Sequence, residues 1–354
     1  MQSGNGAISM HTDVLKINRN MINSKLVQQA ASVIKKGGLV AFPTETVYGL
    51  GANALNKKAV SGIFKAKGRP GDNPLIVHIA SLIQLKQLVK SVPKDAKVLM
   101  KAYWPGPLTL IFKKKSIVPG NVTAGLETVA VRMPSHPVAL ALIKSAGLPI
   151  AAPSANLSGS PSPTEGKHVI DDLMGRVPII IDSGKSDIGL ESTVLDITKK
   201  PFTILRPGGI SLESLNTHVH VVLHSSLRGV KLNAQEIPES PGMKYRHYAP
   251  KAKLIVLKGE QRKVSHVLHE MAKEFRESGQ SVAILASFGG NFGANHTIIR
   301  KNKTQFAKCI FSALREFDKQ GASIILVAGV TEKGIGRAVM NRLEKAAVHR
   351  VIEL

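Results

Sequence analysis

Apolar residues recur at helical spacing at Val27, Ala30, Ala31 and Ile34, behind Asn23 and Ser24, either of which can cap a helix. Gly37 and Gly38 end that helix. Residues 39–42 then read as a buried strand, with Pro43, Thr44, Glu45 and Thr46 as the turn after it. Short apolar runs predict further strands at 75–79, 109–112, 129–132, 150–152, 179–182, 192–196 and 202–206, and longer periodic segments predict helices at 57–65, 83–89, 137–146 and 165–174. Regular crossover helices do not separate these strands. The expected architecture is therefore a twisted mixed α/β sheet, not a doubly wound one.

Periodicity weakens from residue 216 to about 250, and residues 251–354 are more regular. Strands are expected at 253–257, 281–286 and 323–328, and helices at 262–278, after a Thr304 cap, and at 335–347. The first helix has an apolar stripe at Val264, Val267, Leu268, Met271 and Phe275, and the second at Phe306, Ile310, Phe311, Leu314 and Phe317. This βαβαβα order implies a small parallel three-layer α/β domain. The expected division is an N-terminal extension (1–21), a mixed-sheet domain (22–215), a linker (216–250) and the parallel domain (251–354). The linker concentrates Lys244, Tyr245, Arg246, His247 and Tyr248, which a passive spacer would not. It docks on a surface or packs on its own domain.

Charge narrows the function. The 354 residues hold 48 Lys and Arg against 24 Asp and Glu, a net +24. Such a field attracts polyanions: nucleic acid, nucleotides, phosphorylated substrates or acidic membrane surfaces. Aromatics are only 4%, so a phosphate-directed surface is favoured over an extended base-stacking platform. No apolar run approaches the ~20 residues of a membrane span, so no membrane insertion is expected. One cysteine, Cys309, excludes a disulfide framework and a Cys-based zinc site within the chain. Residues 1–20 lack a basic start followed by an apolar core, so the expected setting is cytoplasmic.

Motifs locate candidate chemistry. A P-loop needs a Gly five residues before Gly184, where Ile179 stands. Lys67 and Arg69 precede Pro70, which biases Arg69 to an extended conformation; period-two spacing then sets both cations on one side of a loop, suited to clamping phosphates. A solvated basic loop is the alternative. Ser154, Asn156 and neighbouring small residues follow a buried strand and suit phosphate or ribose oxygens. Thr128, Glu191 and Ser192 are polar positions leading into apolar strands, and Arg132 and Arg206 are cations at strand ends. His78 lies on an apolar strand, where a satisfied core histidine is the common case. No Ser-His-Asp, paired-carboxylate or metal-spaced cluster stands out, so positioning and charge stabilisation are expected in place of a covalent intermediate.

The run Pro43-Thr44-Glu45-Thr46-Val47-Tyr48-Gly49-Leu50-Gly51, with Lys67-Gly68-Arg69-Pro70, Asn73 through His78 and Ser154-Ala155-Asn156, strongly resembles the YrdC-like family, whose members make threonylcarbamoyl-AMP. The Lys-x-Arg and Ser-x-Asn signatures are intact. Residues 240–250 and the βα repeats after them resemble the longer, two-domain form, and the likeness spans about residues 22–350. It implies a twisted, mixed α/β YrdC-like domain around a large concave basic cavity, followed by a smaller Rossmann-like domain. It also implies a reaction: L-threonine, bicarbonate and ATP, with magnesium, give L-threonylcarbamoyladenylate and pyrophosphate. A partner complex then transfers the threonylcarbamoyl group to an adenosine beside the tRNA anticodon. Carried over by position, Lys67, Arg69, Asn73, Thr128, Ser154, Asn156, Ser162 and Arg206 bind ATP, and Tyr245 or Tyr248 covers it. Thr46, His78, Arg132, Ala152 and Ser192 line the threonine pocket, with Arg132 on the carboxylate. No carboxylate is assigned to magnesium. Whether the charge serves tRNA contact is open. An RNA-binding module without catalysis is the competing reading, and the intact signatures argue against it. The related carbamoyltransferase of hydrogenase maturation carries Cys-rich zinc motifs that one cysteine cannot supply.

Overall fold

The computed structural model describes residues 10–228, 238–241, 248–348 and 350–354. Capping and amphipathicity act together from the start. Asn23 Oδ1 accepts from the backbone N–H of Lys25 and Leu26 at 3.0 and 3.3 Å, and helix Ser24–Lys35 buries the expected Val27, Ala30, Ala31 and Ile34. That stripe lies on helix Pro137–Ala146 and one sheet face, with Val40, Phe42, Ile150 and Ile181. Helices Lys57–Lys67, Lys94–Tyr103 and Gly166–Leu173 cover the opposite face through Ala41, Val77, Leu110 and Val131.

The first sheet comprises β1 (Asp13–Lys16), β2 (Val40–Phe42), β3 (Gly49–Asn53), β4 (Ile76–His78), β5 (Leu108–Lys113), β6 (Thr128–Arg132), β7 (Ile150–Ala151), β8 (Ile179–Asp182), β9 (Thr193–Asp196), β10 (Phe202–Arg206) and β11 (Val221–Leu223). Their spatial order is β1-β8-β2-β3-β7-β4-β6-β5-β9-β10-β11. Parallel pairs such as β4–β6 and antiparallel pairs such as β2–β3 occur in the same sheet, so the mixed α/β class holds. Three short strands of this sheet escaped the sequence pattern, as did His296–Ile299 and Val351–Glu353 of the second. β1 lies ahead of residue 22 and pairs with β8, β3 is the Gly-rich GLGAN segment, and β11 lies beyond residue 215 and pairs with β10. β3 has too few β-branched residues to signal a strand, and neighbours on both sides decide it.

The second sheet is wholly parallel, with β12 (Lys253–Lys258), β13 (Val282–Ala286), β14 (His296–Ile299), β15 (Ile324–Ala328) and β16 (Val351–Glu353) in the order β14-β13-β15-β12-β16. Alternation along β12 splits its side chains between two cores. Leu254 and Val256 meet helices Lys303–Lys319 and Gly336–Ala347, and Ile255 and Leu257 meet helix Gln261–Glu277. The cap of helix Lys303–Lys319 is Asn302, not the expected Thr304: Asn302 Oδ1 accepts from the Thr304 N–H at 2.7 Å.

The two sheets share one apolar core. Val47 and Leu190 from the first domain sit with Tyr248, Phe306 and Phe311. Among the described residues no helix is long and apolar enough to cross a membrane.

Candidate active site

Strand ends of the first sheet surround a cleft. The turn after β2 builds one wall. Thr44 Oγ1 donates to the Val47 carbonyl at 2.6 Å and accepts from the N–H groups of Thr46 and Val47. This fixes the Thr46 hydroxyl, which receives Arg132 Nη1 at 2.8 Å. His78 and Arg132 are paired residues of parallel strands β4 and β6, so one register brings them to the same end. Ser192 Oγ lies 2.7 Å from Thr109 Oγ1, and Arg206 donates to the Ser192 carbonyl at 2.9 Å. Gly208 follows Arg206 in a turn so close to the backbone of residues 191–193 that a Cβ would sit 2.3 Å from the Glu191 carbonyl oxygen.

The segment after β7 forms the opposite wall. Ser154 Oγ donates to Asn156 Oδ1 at 2.5 Å, and Asn156 Nδ2 donates to the carbonyls of Leu157 and Ser160. Lys67 holds this segment from behind, with its ammonium on the carbonyls of Ser154 and Asn156. The expected extended Lys67–Arg69 clamp is not what forms. Lys67 is the last residue of its helix and is buried, and Gly68 caps that helix in the left-handed conformation, φ +61. The turn sends the two cations different ways: Lys67 into the protein, Arg69 to the cleft wall. Burial, then the charge of Arg69, drives the Lys67 pKa well down.

Eleven anticipated residues line the cleft together: Thr46, Arg69, His78, Arg132, Ala152, Ser154, Asn156, Ser162, Ser192, Arg206 and Tyr248. Asn73 does not line it; it is buried beside Arg69, whose Nη2 lies 3.4 Å from the Asn73 carbonyl. Thr128 is also absent from the lining and opens β6, about 13 Å along the strand from Arg132. Tyr245 lies outside the described residues. Tyr248 takes a left-handed backbone, φ +66, and its ring stacks on Phe311 at 5.2 Å.

Three guanidiniums (Arg69, Arg132 and Arg206) face the cleft, against one lining carboxylate, Glu191, among the described residues. Burial lowers Arg206 to about 10, so it stays charged at neutral pH. Arg132 is already ion-paired at 2.6 Å to buried Glu45. Burial works to raise Glu191, but Arg342, Arg206 and Ser162 overcome it and hold the carboxyl at about 2. Sequence reading missed Glu45 and Arg342. The available signal for Arg342 was a cation inside the apolar stripe of the last helix, four residues from Ala338 and Ala346. Its partner Glu191 is 151 positions away.

His78, His136 and His168 are each lowered by burial, then by a neighbouring arginine, to about 3, 4 and 4. A base with a depressed folded pKa refuses protons that the unfolded chain accepts. Stability is then full above about pH 6.5 and falls as pH drops towards 4. At pH 5 the neutrality of His78 costs about 2 kcal/mol. The urea midpoint should therefore drop between pH 7.5 and pH 5, and less so in His78→Gln. An unchanged midpoint would contradict this.

A mixed α/β sheet whose cleft gathers Lys-x-Arg and Ser-x-Asn segments, with a parallel domain packed beside it, defines a two-domain protein of the YrdC-like class. A family model described as "Telomere recombination" (Sua5, yciO, yrdC) matches residues 32–208, and one described as the threonylcarbamoyl-AMP synthase C-terminal domain matches 210–348. The threonylcarbamoyl-AMP synthase of Pyrococcus abyssi is 48% identical, over 95% of this chain and 98% of its own. The crystal structure of P. abyssi Sua5 complexed with L-threonine superposes with a TM-score of 0.93 at 47% identity, over 97% of this chain and 99% of that one. A shorter relative, the threonylcarbamoyl-AMP synthase of Vibrio cholerae, is 33% identical over 51% of this chain and 97% of its own. The chain belongs to the threonylcarbamoyl-AMP synthase family.

Proposed function

We propose that this chain joins L-threonine, bicarbonate and ATP into L-threonylcarbamoyladenylate, releasing pyrophosphate. The observation that carries this reading is the convergence of three guanidiniums on one cleft in a chain of this family. The reaction brings two anions together, and only fixed positive charge offsets their repulsion. Bicarbonate sheds hydroxide to give CO2, the threonine amine forms a bond to the CO2 carbon, and the proton it loses joins the hydroxide as water, leaving a carbamate. A carbamate oxygen then forms a bond to the α-phosphorus, and the bond to the β-phosphate bridging oxygen breaks with its electron pair leaving on pyrophosphate.

Arg69 and Arg206 take the phosphates, and Ser154, Asn156 and Ser162 complete the nucleotide side. Lys67 and Asn73 act one step back, bracing the Ser154–Asn156 segment and Arg69. Arg132, Thr46, His78, Ala152 and Ser192 form the threonine side. The P. abyssi relative was solved as a complex with L-threonine, which supports threonine as the substrate of this cleft. Among the described residues no cluster of three or more His, Cys, Asp or Glu could hold a metal. Both Glu191 oxygens have donors already. Magnesium therefore enters as part of the Mg·ATP substrate. The product serves a separate transferase complex that modifies the adenosine next to the tRNA anticodon.

The test is pyrophosphate release with L-threonine and bicarbonate each added or omitted. Release requiring both is expected. Release without threonine would overturn the reading, and no release from folded protein with magnesium would overturn it in favour of RNA binding, with its steep salt dependence.

A further inference from the structure

Arg342 comes from the second domain, yet its side chain is wholly buried against the first. Its Nε donates to Glu191 Oε2 at 2.8 Å, and its Nη2 donates to the Pro207 carbonyl at 2.9 Å. The Tyr248 ring lies over the guanidinium, 5.5 Å from Cζ to the centroid. The other Glu191 oxygen accepts from Ser162 Oγ at 2.6 Å. Glu191, Ser162, Arg206 and Tyr248 all line the cleft, and Arg342 stands behind them.

A carboxylate facing the pocket of a polyphosphate is a liability. It repels the incoming anion, and it competes for the guanidinium meant for that anion. Arg206 is the next cation acting on Glu191 after Arg342. Stripped of Arg342, Glu191 would draw Arg206 to itself, and a buried carboxylate without its partner is costly in low dielectric. We propose that Arg342 is a positioning residue for ATP: it satisfies Glu191, so that Ser162 is oriented and Arg206 stays available to phosphate. The second domain thereby completes the nucleotide site of the first. The Vibrio relative, which matches only about half of this chain, carries the same activity name without a matched second domain. The chemistry therefore does not demand that domain; in this chain the charge balance of the cleft does. The inference rests on the ATP-binding reading above.

ATP affinity by calorimetry, together with KM and kcat from pyrophosphate release, tests it at pH 5.5, 7 and 8.5. Each value is taken as a ratio to the parent chain at the same pH, which cancels the titration of ATP itself. Arg342→Gln should weaken ATP binding about tenfold at pH 8.5 with kcat within about threefold. Adding Glu191→Gln should restore affinity to within about threefold of the parent at every pH. A penalty that Glu191→Gln does not relieve would mean a structural brace and overturn the proposal. Should Arg342→Gln alone fail to fold, the double variant still decides. With both charges gone it must bind ATP about as well as the parent, and a tenfold loss in it overturns the proposal. A parent chain that binds no ATP would overturn the functional reading itself; a parent that binds ATP beside an Arg342→Gln chain that binds it equally well overturns only this inference.

Discussion

Arg69→Ala should lower kcat/KM for ATP by roughly a hundred- to a thousandfold while leaving the melting temperature within about 2 °C. Arg69 lines the cleft, and its contacts to the Asn73 and Pro74 carbonyls are long, at 3.4 and 3.3 Å. Its removal takes away charge that phosphate oxygens need and little that the fold needs. Lys67→Met should behave differently, losing activity and stability together. The ammonium is buried and serves two carbonyls of the Ser154–Asn156 segment. Leaving two buried carbonyls unsatisfied costs about 1–3 kcal/mol each, partly offset because a desolvated cation is removed as well. Pyrophosphate release and differential scanning fluorimetry on the two variants separate the roles. Equal melting temperatures with equal losses of activity would return Lys67 to direct phosphate contact; an Arg69→Ala chain within tenfold of the parent would remove Arg69 from the site.

Arg315→Ala should strongly destabilise the domain junction, with a fall of roughly 4–7 °C in melting temperature. From helix Lys303–Lys319 the guanidinium forks onto Asp172 of the first domain at 3.0 and 2.7 Å, and onto the Pro161 carbonyl at 2.6 Å. Both side chains are largely buried, at 14% and 12% exposure, so breaking the pair strands Asp172 in low dielectric at a cost of about 3–5 kcal/mol. Pro161 sits between Ser160 and Ser162, which both line the cleft, so KM for ATP should rise with the loss of stability. A double variant carrying Asp172→Asn should recover part of the melting temperature. Full stability in Arg315→Ala would show that the apolar core around Val47, Leu190 and Phe311 docks the domains unaided.

Helix stripes and caps were legible because they are local. Asn23, the 27–34 stripe and the alternation along residues 253–257 each depend on neighbours a few positions away, and backbone geometry converts such spacing directly into a buried face. The parallel order of the second domain followed from the same local signals. The Lys-x-Arg and Ser-x-Asn segments were legible as chemistry chiefly through their resemblance to a known family; by residue type alone a solvated basic loop stayed open.

Their geometry was not. Pro70 does bias the residue before it, but helix Lys57–Lys67 runs two residues past the expected stop, and Gly68 turns the chain before that bias can act. The partnerships Arg342–Glu191, Arg315–Asp172 and Arg132–Glu45 join residues far apart in sequence, and nothing local says which residue partners which. The edge strand Asp13–Lys16 and the GLGAN strand likewise depend on neighbours across the sheet. The sequence by itself determined the α/β class, most of the elements and which residue types carry the chemistry, since these follow from periodicity and side-chain identity. Only the tertiary structure decided which cations face the cleft and which are spent inside the protein, because a charge is set by what surrounds it, and long-range packing chooses those surroundings.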